Sequence, residues 1–145
     1  MSMPDRQTYE EFIYSLTERH PSIVRSTLVL ATIGPTLARV EGRVTLPGGV
    51  VLDVREFIDF AAGVIRSDSY EVYRADEKAA WYDPWEHPHI PELASTHPHH
   101  KHVPPDIKHN RVPAPGIAFD HPNLPVLIEE IGREVSAETA PEETA

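Results

Sequence analysis

The 145-residue chain contains no cysteine, which excludes disulfides and thiolate metal sites. No charged-then-apolar leader is visible, and no apolar run approaches the roughly 20 residues a membrane helix needs. The expected setting is the cytoplasm, without membrane contact. Basic side chains are also scarce, 13 against 23 acidic ones, for a formal net charge of −10. A chain this acidic makes a poor general coat for DNA. The deficit is uneven, however. Residues 129–145 set six glutamates against Arg133 alone, whereas residues 97–111 set Lys101, Lys108 and Arg111 against Asp106. One local basic stretch on an acidic body suits a single phosphate or carboxylate.

What is plentiful is histidine and proline, in one place. Eight of the nine histidines fall between His87 and His121, and the densest run reads His97-Pro98-His99-His100-Lys101-His102. Histidine titrates near neutrality, so a cluster can pass protons, hold a metal or grip an anion. Ten prolines lie between Pro84 and Pro125, and their fixed φ and missing N–H donors argue against regular helix or a central strand there. Trp81, Tyr82, Trp85, Ile90, Leu93 and Val103 are apolar anchors that a disordered linker rarely carries. The segment 84–122 therefore reads as a long Pro/His-rich loop pinned across a sheet, and such loops in compact domains tend to be functional.

The remainder reads as one α+β domain over 1–135, with 136–145 as a flexible acidic tail. Thr8-Tyr9-Glu10-Glu11 has the form of a capping box, and Tyr9, Phe12, Ile13 and Leu16 recur at helical spacing as far as Pro21. Residues 26–83 read as an antiparallel meander of four to five strands. Leu28 to Ile33 comes first, followed by Leu37 to Leu46, in which Ala38, Val40, Val44 and Leu46 share one face. After the Pro47-Gly48-Gly49 turn come Val50 to Phe60, Val64 to Arg74 and, beyond a turn at residues 75–78, Ala79 to Asp83. A closing helix follows Asn123 as cap, with Leu124, Leu127, Ile128, Ile131 and Val135 as its stripe. Within strands, Arg55 and Glu56 read as a surface or edge ion pair, and Tyr70 and Tyr73 point to opposite faces, one of them into the core.

Two chemistries suit the histidine run, because residues two apart on an extended backbone project together. His97 pairs with His99, and His100 with His102, leaving Lys101 on the other side of the latter pair. In metal-free phosphodiester cleavage, one imidazole takes a 2′-hydroxyl proton and another protonates the leaving oxygen. Lys101 or Arg111 then offsets phosphate charge. In a metal site, His97, His99, His100 and His102 would act with a carboxylate such as Asp83, Glu86 or Asp106. Asp83 could also orient an imidazole, and Arg74 is a strand-end phosphate candidate. The bland account is a solvated histidine-rich loop with no site at all.

Val54-Arg55-Glu56-Phe57, Tyr70-Glu71-Val72-Tyr73-Arg74, Tyr82-Asp83 and the Pro98 to His102 signature together resemble the TumE family of small toxins, over roughly residues 8–135. The resemblance implies the toxin of a two-gene toxin–antitoxin module, held inactive by a cognate antitoxin. It carries Arg55, Glu56, Tyr73, Tyr82, Asp83, His99, His100, Lys101 and His102 forward as site candidates. The expected function is a ribonuclease-like enzyme acting on RNA, with His99, His100, Lys101, His102, Asp83 and Tyr82 as its catalytic set and Arg55, Arg74 and Arg111 on phosphate. A non-catalytic module that grips a protein or nucleic acid is the alternative, and a metal-dependent hydrolase the third reading. No cofactor is assigned, a divalent metal stays open, and nothing in the sequence sets an oligomeric state.

Overall fold

The computed structural model describes residues 3–83, 100–103, 111–114 and 117–139. Helix α1 (Arg6–Tyr14) starts three residues earlier than the capping-box reading placed it, because Asp5 caps it by accepting the Thr8 amide at 2.8 Å. Ser15 then bonds back to the Glu11 carbonyl, and the chain breaks into a second short helix, α2 (Leu16–Arg19). Tyr9, Ile13 and Leu16 are buried, as the helical spacing required.

Among the described residues eight strands form one antiparallel sheet. β1 (Arg25–Ser26) and β2 (Val29–Thr32) lie end to end along β3 (Leu37–Leu46), giving seven strand positions in the order β1/β2, β3, β4 (Val50–Asp59), β5 (Val64–Arg74), β6 (Glu77–Asp83), β7 (His100–His102) and β8 (Arg111–Pro113). The break between β1 and β2 sits against Gly42. There φ is +143°, and a Cβ would lie 2.6 Å from the Thr27 carbonyl, so only glycine fits without displacing backbone.

The sheet is larger than the four to five strands expected, because β1, β7 and β8 join the meander of β2 to β6, which also has one sharper turn than expected. Ala75 and Asp76 both take positive φ, the geometry of a two-residue hairpin loop, and β6 therefore begins at Glu77 rather than Ala79. The expectation that the proline-rich segment holds no central strand is overturned at residues 100–102. β7 has no proline, pairs with β6 on one side and β8 on the other, and leaves Pro113 on the outermost described strand.

Alternation along the strands separates two faces. Val40, Val44, Leu46, Leu52, Val54, Ile58, Tyr70, Val72, Ala80 and Tyr82 are buried on the inner face. They share one core with α1 and with α3 (Leu124–Thr139), whose Leu127, Ile128, Ile131 and Val135 are buried. Helix α3 extends past residue 135, into the stretch read as tail. Asn123 does not cap it with its side chain. The carboxamide instead turns back to Ala118, accepting from its amide at 3.0 Å and donating to its carbonyl at 2.8 Å. No helix among the described residues is long and apolar enough to cross a membrane.

Candidate functional site

The histidine strand is held from both faces. Lys101 pairs with Tyr82 across β6–β7 and is 8% exposed on the inner side. Its ammonium lies 2.9 Å from Glu130 Oε1 and 2.7 Å from Glu134 Oε1. Those two glutamates are four residues apart, so they stand on the same flank of α3. The Tyr82 hydroxyl donates to the second Glu130 oxygen at 3.0 Å, and the Lys101 ammonium sits 5.5 Å over the Tyr82 ring. Burial alone would make Lys101 easier to deprotonate. Glu134 and Glu130 outweigh that and hold the ammonium above the ordinary lysine range. Burial, with the charge of Glu130 behind it, pushes the Tyr82 hydroxyl well up.

His102 belongs to the outer side. It is 2% exposed, and its ring stacks on Trp81 at 3.9 Å between centroids, 13° from parallel. The Lys78 ammonium lies 5.2 Å over the same indole and pairs with Glu71 at 2.8 Å, which also accepts from Tyr73. Trp81 therefore has charged or aromatic neighbours already and is packing rather than a free platform.

The strand register gathers the remaining candidates. One row across the outer face runs Glu41, Arg55, Ser69, and the pairing of β5, β6 and β7 continues it through positions 83, 100 and 113. The next row runs Arg43, Asp53, Glu71, Trp81, His102 and position 111. Arg55, Asp83, His100, His102 and Arg111 thus occupy two neighbouring rows, while Tyr82 and Lys101 belong to the opposite face. Arg74 lines a separate hollow with Val72, Lys101, Val103 and Glu134. His97, His99, Glu86 and Asp106 lie outside the described residues. Among the described residues no three histidine, aspartate or glutamate side chains come together as a metal site.

Arg55 and Glu56 are not an ion pair. Arg55 is exposed on the outer face, whereas Glu56 is 1% exposed beneath it. The Glu56 carboxyl accepts the hydroxyls of Tyr9 and Tyr70, both at 2.5 Å, and Asn123 Nδ2 donates to the Tyr70 oxygen at 3.1 Å. Burial raises the Glu56 pKa from 4.5 to about 7; the two hydroxyls work against the rise, and nearby Asp68 adds to it. The signal for this burial was present in the sequence, since Glu56 continues the inward phase of Leu52 and Val54. Glu130 and Glu134 were read only as part of the acidic stretch 129–145, although their spacing already put them on one helix flank.

The fold and the clamped histidine strand define a small α+β protein with helices on one sheet face and a mixed polar, aromatic face on the other. The chain belongs to the TumE toxin family: the family model described as Toxin TumE matches residues 13–138. Membership points to a toxin of a toxin–antitoxin system and implies a cognate antitoxin as partner. Searches of curated proteins and of solved structures return no match.

Proposed function

We propose that this toxin cleaves RNA through the outer face of its sheet, without a metal. His100 and a second imidazole of the histidine-rich segment exchange the protons: one takes the proton of a 2′-hydroxyl as its oxygen attacks phosphorus, and the other protonates the departing 5′-oxygen, leaving a 2′,3′-cyclic phosphate. Asp83, the register partner of position 100, is the candidate orienting group, and Arg55 and Arg111 are the candidates for charge on phosphates of the bound strand. The observation that supports this reading is the double clamp on β7. Lys101 is committed to Glu130 and Glu134, and His102 is buried on Trp81. These two therefore act as positioning residues that fix the course of β7.

The same commitments favour one rival. With Tyr82, Lys101 and His102 all partnered, a module that blocks its target by binding alone needs no reactive group. Incubating the purified toxin with RNA in EDTA decides between them. Cyclic-phosphate ends that vanish in His100→Ala support cleavage. Toxicity without any product supports blockade, and product that appears only after divalent metal is added transfers the reading to a metal-dependent hydrolase.

A further inference from the structure

Two hollows on the outer face share Glu41 and Arg55 and form one path over β2 to β5. The larger-lobed end, about 400 Å³, reaches Val29 and Arg43; the other, about 300 Å³, is lined by Arg39, Arg55, Phe57, Ser67 and Ser69, with Glu56 and Asp68 also at its wall. The register orders these residues. Arg39, Phe57 and Ser67 form one row, and Glu41, Arg55 and Ser69 the next. Neighbouring strands lie about 4.8 Å apart, and same-face residues along a strand about 6.8 Å apart, so each hollow is about the size of one nucleotide.

We propose that this path seats single-stranded nucleic acid, with a phosphate on Arg55 and the Ser69 hydroxyl, a base on the half-buried Phe57 ring, and the next phosphate toward Arg43. Arg55 is the anchor because it makes no hydrogen bond or ion pair among the described residues. Glu41, opposite it in register, is paired with Arg39, and Glu71, whose charge it also influences, is bonded to Lys78 and Tyr73. Beside it Arg43 stands higher than its acid, 64% exposed over Asp53 at 21%, while the Arg39–Glu41 pair at 3.4 Å is more than half exposed on both sides and so is weak. Arginine suits phosphate through its planar fork, and an aromatic ring accepts any base face. An acidic peptide would use the arginines but leave Phe57 idle. The net charge of −10 removes any general attraction to phosphate, so binding must come from this local arrangement.

The proposal takes its ligand class from the RNA reading above, and its test is built to fail separately. The probe is a fluorescein-labelled ten-nucleotide 2′-O-methyl oligouridylate, which cannot be cut through a 2′-hydroxyl, followed by anisotropy over a salt series. Arg55→Gln should weaken binding about tenfold and flatten the salt slope by about 0.7. Phe57→Leu should weaken it by roughly 5- to 150-fold with the slope unchanged, while Arg19→Gln on α2 changes nothing. Absence of wild-type binding, indifference to Arg55→Gln, or equal competition by a ten-residue polyglutamate overturns the proposal. Binding with these sensitivities but no cleavage of ordinary RNA keeps the path and removes the catalytic reading; cleavage that ignores Arg55 and Phe57 removes the path, and with it the role of Arg55, while leaving the histidine chemistry.

Discussion

Replacing Glu56 by glutamine removes a buried carboxyl whose ionisation is coupled to folding near neutral pH. Below about pH 4.5 this carboxyl is protonated in both the folded and unfolded chain, and above about 7 it is ionised in both. Between those values the folded chain keeps a proton that the unfolded chain has lost. Unfolding then releases that proton, so stability falls as pH rises through the window and levels off above it. A rise from 4.5 to about 7 corresponds to about 3 kcal/mol, a large share of the 5–15 kcal/mol that holds a domain of this size together. The groups facing the carboxyl are the hydroxyls of Tyr9 and Tyr70, the Asn123 amide behind Tyr70, and the charge of Asp68. None of the three polar partners titrates in this window, since both tyrosines are pushed up by burial and by Glu56 itself. The assay is urea unfolding of wild type and Glu56→Gln at pH 5, 6, 7 and 8, comparing the pH slope of the two proteins rather than their absolute stabilities. Subtracting the variant cancels the histidines and surface carboxylates common to both. A difference that shrinks the wild-type advantage by about 3 kcal/mol between pH 5 and 8 supports the argument. Parallel slopes would mean that Glu56 is hydrated or already ionised, and would refute it.

Lys101→Met should cost about 2 kcal/mol, below the 3–5 of a fully buried broken pair because Glu130 and Glu134 are 32% and 44% exposed and can rehydrate. Adding Glu130→Gln and Glu134→Gln should restore most of that loss in a thermal melt, and a melt insensitive to Lys101→Met would show that the clamp bears no strain. Gly42→Ala should destabilise by at least about 2 kcal/mol in urea, since a Cβ there needs a disfavoured φ and meets the Thr27 carbonyl at 2.6 Å. Asp5→Ala should lower the melting temperature while Thr8→Ala leaves it nearly unchanged, because Asp5 is the residue that caps α1; the reverse order would restore the capping-box reading.

Much of the frame was legible in the residues alone, and for local reasons. Period-two alternation set the inward faces of β3 and β4, and helical spacing set the buried stripes of α1 and α3. The Pro98 to His102 signature carried the family resemblance that the match over residues 13–138 bears out. Short-range rules failed where the answer depended on a competing neighbour. Asp5 displaced Thr8 as cap, two positive-φ residues made a tighter turn than expected, and a three-residue strand free of proline slipped into a stretch whose composition spoke against strands. What only the tertiary structure decided is who meets whom. Glu56 finds Tyr9 across 47 residues, and Lys101 finds Glu130 and Glu134 across 29 and 33. Those pairings turned a presumed phosphate-binding lysine into a strap and a presumed surface carboxylate into a buried proton site. Periodicity along a chain fixes which side a residue faces. The packing of distant segments fixes what stands opposite, and with it whether a charge is free to act or held.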